Sequence, residues 1–134
     1  MTDFIDFTRL ERPGSPNTFL LLPQGFPSTA KPDAASPEFP VGASRLFDAL
    51  MQSVREAGVD GTLQADLPSR RLRYVAVTKL LRFKDDVDAA VIDTGPETSA
   101  LAIYSRSRIG YSDLGANRKR VEGLLKAVQA DIRT

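Results

Sequence analysis

The residues of this chain that could take part in chemistry are concentrated in two segments. The first runs from Tyr104 to Glu122, YSRSRIGYSDLGANRKRVE, and holds four arginines, one lysine, two tyrosines and three serines. The second, KDDVDAAVID, places aspartates at positions 85, 86 and 88. Such residues can form an anion site, a metal site, an acid–base pair or an ion-paired structural joint.

Composition removes several of the common catalytic designs. The chain has no cysteine and no histidine, which excludes thiol nucleophiles, disulfides, Ser-His-Asp triads and imidazole-based metal sites. Its net charge of +1 provides no global attraction to nucleic acid, so any binding must depend on local patches. A length of 134 residues with 42% hydrophobic content is typical of one globular domain.

The basic segment first suggests anion or nucleic-acid binding. Arginines beside a helix N-terminus can hold phosphate, and Tyr104 and Tyr111 could stack on bases. However, Asp113 already supplies a negative charge at that helix end, and the segment has neither GxGxxG nor P-loop spacing. Binding of single-stranded nucleic acid through the Tyr104–Arg120 segment therefore ranks third among the functional hypotheses, and nucleic acid is an unlikely partner.

The aspartates allow two further hypotheses. Carboxylates can bind Ca²⁺ or Mg²⁺, but the spacing is not that of an EF-hand, and strand alternation sends Asp85 to the face opposite Asp86 and Asp88. We therefore predict an ion-paired sheet face, with no metal and no cofactor. A carboxylate beside Tyr104 and Arg106 could instead serve acid–base chemistry, which makes a small-molecule enzyme the alternative function.

Helical spacing favours a structural joint. Apolar residues recur through a helix from about 114 to 132, and counting back from Val121 at about 100° per residue turns Asn117 and Arg118 inward and Arg120 outward. We expect Arg118 to be buried and paired with an acid, because an uncompensated buried charge is costly. The candidate polar cluster comprises Asp85, Asp86, Asp88, Tyr104, Arg106, Arg108, Ser112, Asp113, Asn117 and Arg118.

The remaining elements follow from periodicity and turn signals. Residues 43–57 form an amphipathic helix stopped by Gly58, and strands are predicted near 61–66 and over 71–81. A hairpin surrounds TGPET, with Val91 facing Leu101 and Asp86 near Arg106, because a one-residue slip would turn aspartates into the core.

An apolar arm precedes these elements. Seven of the nine prolines lie between Pro13 and Pro40, which predicts an extended, irregular segment rather than regular sheet. Its side chains are too apolar for a solvated linker, so we expect the arm to lie across the domain, where it could close a cavity between sheet and helix. The candidate apolar pocket comprises Phe19, Leu20, Leu22, Phe26 and Phe47, with ordinary core packing as the favoured alternative.

The order of elements predicts an α+β fold. An antiparallel sheet of four to five strands would pack on a long C-terminal helix and one N-terminal helix, in a helix-grip or TBP-like order. We expect one domain over 1–134, with a proline-rich arm at 1–41 and an α/β core at 42–134. No apolar run reaches the ~20 residues of a membrane span, which favours the cytoplasm, or a periplasmic or membrane-associated site if an N-terminal segment has been removed.

Three motifs carry a family resemblance: RPGSPNTFLLLP near the start, RFKDDVDAAV, and SRSRIGYSDLGANRKRVE before the last helix. Together they resemble the uncharacterised bacterial and plastid family known as domain of unknown function 1499. Positions that match its pattern include Asn17, Asp85, Ser105, Asn117 and Arg120. The resemblance implies an architecture and a set of residues but no reaction. The leading hypothesis is therefore a non-catalytic binding or accessory domain for a small apolar or lipid-like ligand or for a protein partner.

Overall fold

The computed structural model describes residues 4–78, 82–110 and 113–133 and confirms the α+β class, with two helices and one sheet. The sheet has six strands in the order β2-β1-β6-β5-β4-β3 rather than the four to five that were predicted. It is mixed rather than antiparallel, because β1 and β2 run parallel. The elements are β1 (Thr18–Pro23), β2 (Ala34–Ser36), α1 (Ala43–Glu56), β3 (Gln64–Asp66), β4 (Arg71–Val77), β5 (Lys84–Gly95), β6 (Thr98–Ser107) and α2 (Ala116–Arg133), with single 3-10 turns at Phe7–Arg9 and Asp60–Thr62.

The arm is more regular than predicted, because it contributes β1 and β2 to the sheet. All six residues of β1 are buried, and the strand pairs antiparallel with β6 on one side and parallel with β2 on the other. Proline spacing explains the difference. Pro16 precedes the strand and Pro23 ends it, so Thr18 to Leu22 keep their backbone donors for the ladder. The density of proline across the whole arm concealed this short proline-free stretch.

The β5–β6 hairpin has the predicted register. Val91 faces Leu101, and Asp86 faces Arg106. Odd-numbered residues of β5 therefore lie toward the helices, and even-numbered residues lie on the opposite, outer face of the sheet. This alternation separates Asp85 from Asp86 and Asp88, as the sequence predicts.

Both faces of the sheet carry an apolar core. Helices α1 and α2 cover one face, where the sheet contributes Leu72, Val87, Leu101 and Ile103 among others. On the outer face, the start of the arm covers a smaller cluster of buried residues, which are Phe7, Leu20, Leu22, Ala90, Ala102 and Tyr104. The rest of the outer face carries the charged residues of β5 and β6.

Helix α2 begins two residues later than predicted. Leu114 has a φ of +56° and Gly115 a φ of +81°, so both lie in the left-handed region and cannot start an α-helix. Leu114 is exposed rather than part of the apolar stripe. Within α2, the buried positions are Asn117, Val121, Leu124 and Val128.

Candidate functional site

A buried hydrogen-bond network surrounds Asn117 beneath the first turn of α2. The Asn117 Oδ1 accepts from Ser105 Oγ at 2.6 Å and from an Arg120 guanidinium nitrogen at 3.0 Å. Its Nδ2 donates to the Asn17 carbonyl at 2.9 Å, to Ser107 Oγ at 3.0 Å and to Asp113 Oδ2 at 2.6 Å. One fully buried amide thus joins β1, β6 and the start of α2, and we call these contacts the Asn117 network.

Asp85 and Arg120 form a buried ion pair at the edge of this network. Asp85 is fully buried, and an Arg120 terminal nitrogen lies 2.8 Å from its Oδ2. Neither Asp85 oxygen has a well-aligned hydrogen bond among the described residues, so the contact is an ion pair whose N–H points elsewhere. The same nitrogen reaches Ser105 Oγ at 3.2 Å, which shows how the guanidinium is shared.

The prediction that Arg118 is buried and Arg120 points outward is wrong. The Arg118 side chain is 67% exposed, whereas that of Arg120 is 17% exposed. Among the described residues Arg118 pairs with Glu122, one turn along α2, and its guanidinium lies 5.7 Å from the centre of the Phe19 ring. Counting Leu114 into the apolar stripe moved its centre toward Arg118. When only the buried positions of α2 are counted, the centre of the apolar stripe lies closer to Arg120. Arg120 lies beside this stripe, and its long side chain reaches Asp85 from there.

Asp113 caps α2, as the sequence predicts. Its carboxylate accepts the backbone N–H of Gly115 at 2.9 Å and that of Asn117 at 3.0 Å. Partial burial acts to raise the pKa of Asp113, but the hydrogen bonds from Asn117 and Gly115 outweigh it and leave the pKa below its usual 3.8. Ser112 and Tyr111, which were also predicted to contribute to this region, lie outside the described residues.

The outer face carries two further ion pairs. Arg108 donates to both oxygens of Asp86, at 3.0 and 2.9 Å, and Arg106 lies 2.8 Å from the buried Asp88. The hydrogen bonds from Arg108 lower the pKa of Asp86 below its usual 3.8. Arg108 therefore engages both oxygens of Asp86, whereas Arg106 reaches one oxygen of Asp88 and the other is buried without a hydrogen-bond partner among the described residues.

Tyr104 is buried beside these pairs, with the Arg106 guanidinium 4.8 Å from the centre of its ring. Burial raises its pKa above 10.0, against the influence of Arg106, and burial raises the pKa of Tyr74 on the helix face to about 12. A buried ring cannot stack on a nucleic-acid base, so Tyr104 does not provide the stacking platform that the third hypothesis requires.

The candidate apolar residues fall into separate clusters. Phe19 and Phe47 lie in the core on the helix face, whereas Leu20, Leu22 and Phe26 belong to the cluster on the outer face. The sheet stands between the two groups. The proposed pocket residues therefore do not line one common cavity.

Sequence reasoning from charge and phase omitted Asn17 and Arg120 from the candidate site. Both were visible as positions that match the family pattern, and that pattern was the one signal pointing to them. Ser107 gave no signal, because a serine at a strand end is common and its role depends on the distant Asn117.

An open groove lies between two segments of the N-terminal arm. Residues 9–13 and 29–31 line it, and its volume is about 750 Å³. Arg12 spans its base, donating to the Lys31 carbonyl at 2.8 Å, to Thr18 Oγ1 at 2.8 Å and to Asp33 Oδ2 at 2.6 Å. We call this feature the arm groove.

The chain forms an α+β domain that contains the Asn117 network. Helices cover one face of its central sheet, and the N-terminal arm covers part of the other. The chain belongs to the family described as "Protein of unknown function (DUF1499)", whose pattern matches residues 11–128. No curated protein matches the chain. No helix in the described ranges is long and apolar enough to cross a bilayer.

Similar solved structures include that of Ara h 8.0201, with 10% identity and a TM-score of 0.49 over 72% of this chain and 93% of that one. The ZhuI aromatase/cyclase from Streptomyces sp. R1128 has 10% sequence identity and a TM-score of 0.40, and the match covers 72% of this chain and 82% of that one. TTHA0849 from Thermus thermophilus shares 15% identity and a TM-score of 0.37 over 73% and 94%. At these TM-scores the likenesses support no inference about function.

Proposed function

We propose that this chain is a non-catalytic binding domain and that the arm groove holds a small apolar or lipid-like molecule. The observation that carries the proposal is the groove itself, which lies over the apolar cluster of the outer face. Leu10 and Ala30, two of its lining residues, pack against that cluster. Its volume of about 750 Å³ falls within the range of small-molecule sites.

The groove combines apolar and polar lining in the way that an amphipathic ligand requires. Leu10, Pro13 and Ala30 provide apolar contacts, and Arg12 provides a guanidinium that its own hydrogen bonds hold in place.

The titratable groups of the polar cluster favour binding over acid–base catalysis. A general acid or base works best when its pKa lies near the operating pH. The pKa of Asp86 is lowered and that of Tyr104 is raised, so both shifts lead away from neutrality. The two hydrogen bonds from Arg108 account for Asp86 without a substrate, and Arg106 pairs with one oxygen of Asp88.

Native mass spectrometry of the protein purified from its own host tests the proposal. We expect a retained small molecule that extraction with organic solvent removes. Thr29→Trp should reduce the retained fraction, because Thr29 is an exposed lining residue and indole would fill the groove.

Thr94→Trp is the matched control, since Thr94 is likewise exposed and makes one side-chain hydrogen bond, but lies at the end of β5, outside the residues that line the groove. It should retain the ligand. A bare mass for the unaltered protein would contradict a binding role. A ligand that Thr29→Trp leaves in place would keep the binding role and remove the groove as its site.

A further inference from the structure

Exposed apolar side chains are concentrated at one end of the sheet. Among the described residues, five large hydrophobic side chains are exposed, and four of them lie where β4 ends, β5 begins, β6 ends and α2 begins. Antiparallel pairing of β4 with β5 and of β5 with β6 brings these strand ends to the same end of the sheet. We call the exposed apolar residues at this end the apolar rim, which consists of Val77, Phe83, Ile109 and Leu114.

Backbone hydrogen bonds hold the rim in place. Thr78 N donates to the Phe83 carbonyl at 2.9 Å, and Phe83 N donates to Thr78 Oγ1 at 2.9 Å, which closes the connection between β4 and β5. The next strand is tied on by Arg108 N, which donates to the Lys84 carbonyl at 3.2 Å. Asn17 Nδ2 donates to the Gly110 carbonyl at 2.7 Å and fixes the segment after Ile109. The apolar side chains are thus presented on an anchored edge.

Leu114 gains little for the fold from being leucine. It is 85% exposed, and its φ of +56° lies in the left-handed region, which disfavours a non-glycine residue. A glycine or asparagine would be more stable at this position. Leu114 thus presents an apolar side chain to solvent at this end of the sheet in spite of the cost of its backbone conformation.

Positive charge lies beside the rim. Arg82 and Lys84 flank Phe83 and are exposed. The carboxylates nearest in sequence are already engaged, since Asp86 binds Arg108 and Asp113 binds the amides of α2. A partner that complements the apolar rim and its flanking cations has an anionic surface and an apolar interior below that surface.

We propose that the apolar rim docks on an anionic lipid bilayer surface, with Phe83, Ile109 and Leu114 entering the interface and Arg82 and Lys84 contacting lipid headgroups. The geometry favours a bilayer over a protein partner because the rim side chains project from turns and element ends rather than lining a groove. A soft interface accepts separate projecting side chains, whereas a protein site requires complementary contact over a continuous area. The proposal is independent of a ligand in the arm groove.

Vesicle co-sedimentation tests the proposal with phosphatidylcholine vesicles and with vesicles that also contain phosphatidylglycerol. The protein should bind the anionic vesicles, and added salt should weaken the binding. Ile109→Ser combined with Leu114→Ser should lower the partition coefficient by about tenfold or more, since two apolar side chains leave the interface. Lys84→Gln should lower it by about fivefold, as expected for one cation near an anionic surface.

The controls use equivalent residues elsewhere in the chain. Leu67→Ser alters the fifth exposed hydrophobic residue, which is 68% exposed in the turn between β3 and β4, at the other end of β4 from Val77. Arg133→Gln removes an exposed cation at the far end of α2. Neither change should alter vesicle binding.

A single tryptophan gives a direct signal, because the chain has none. Emission from Phe83→Trp should shift to the blue on anionic vesicles, and emission from Leu67→Trp should not. Absence of vesicle binding, or equal binding by rim and control variants, would overturn the proposal. If sedimentation equilibrium instead showed self-association that the Ile109 and Leu114 changes abolish, the occupant of the rim would be a second copy of the chain.

Discussion

The two faces of the β5–β6 hairpin use the same residue types in opposite ways. On the helix face, Asp85 and Arg120 are sealed beneath α2 and share the Asn117 network. On the outer face, Asp86 and Arg108 form a two-bond pair that remains accessible to water. Adjacent aspartates therefore differ in environment because strand alternation places them on opposite faces, and residue type alone does not predict their contribution.

The largest expected effect is on the helix face. Arg120→Met would leave the fully buried Asp85 without its countercharge, and we expect a loss of about 3–5 kcal/mol in the free energy of unfolding. Chemical denaturation followed by circular dichroism would measure it. The double change Asp85→Leu and Arg120→Met should recover a large part of the loss, since it removes both charges.

Arg118→Ala is the matched control on the same helix. Because Arg118 is exposed and its contacts in the described part of the chain are an exposed ion pair with Glu122 and a cation–π contact with Phe19, the change should alter stability by about 1 kcal/mol or less. Equal losses for the two arginine variants would show that the faces of α2 do not differ as described.

Asn117→Ala ranks second. It would remove the acceptor of Ser105 and Arg120 and the donor to the Asn17 carbonyl, leaving buried groups without partners. We expect a loss of about 2–4 kcal/mol in the free energy of unfolding. Ser107→Ala, which deletes one accessory contact, should cost clearly less in the same assay. A loss below about 1 kcal/mol for Asn117→Ala would mean that water replaces the network at little cost.

Asp113 gives a smaller, pH-dependent effect. Its pKa in the folded protein lies below 3.8, so its cap stabilises the fold above that pH, and the stabilisation is lost as the pH falls through the folded pKa. Asp113→Ala should cost about 1 kcal/mol at neutral pH, whereas Asp113→Asn should keep much of the cap and lose its contribution to the pH dependence. Denaturation curves collected from pH 7 downward, to about pH 3, would separate the two. Identical pH profiles for Asp113→Asn and the unaltered protein would exclude this assignment.

The outer pair should show the smallest effect, visible in a titration rather than in stability. Arg108→Gln should raise the pKa of Asp86 back toward 3.8, because hydrogen bonds from Arg108 are the main cause of its lowering. Carboxyl chemical shifts of Asp86 against pH would measure the change. Arg106→Gln, which removes a weaker influence on Asp86, should shift this pKa less.

The difference between the faces also explains what the sequence could predict. Alternation with period two predicts the hairpin register, which was confirmed, with Val91 opposite Leu101. The expectation that this register keeps the aspartates out of the interior was wrong, because Asp85 and Asp88 are both buried in it. The phase of α2 was predicted less well, since Leu114 looks like a helical apolar residue and its left-handed backbone is not visible in the sequence. As a result, the sequence placed Asn117 correctly in the interior but assigned the buried, acid-paired position to Arg118 instead of Arg120.

Strand β1 and the six-stranded sheet depend on contacts between distant parts of the sequence, which local sequence patterns do not reveal. A proline-rich composition predicts irregular structure, and Thr18 to Pro23 become a strand through pairing with β2 and with β6, which lies far along the chain. The Asn117 network has the same non-local character, because its amide reaches the Asn17 carbonyl across 100 positions of sequence. The polar cluster and the division into arm and core remain predictions.

The place of β1 in the sheet has a consequence for how the chain is made. β6 ends at Ser107, so a ribosome must synthesise most of the chain before β1 can find its antiparallel partner. Until then the run TFLLLP, buried along its whole length in the finished fold, remains open to water and to other chains. Pairing across such a separation is slow because a long loop must close first. The nascent chain therefore exposes an aggregation-prone apolar run until β6 has been synthesised.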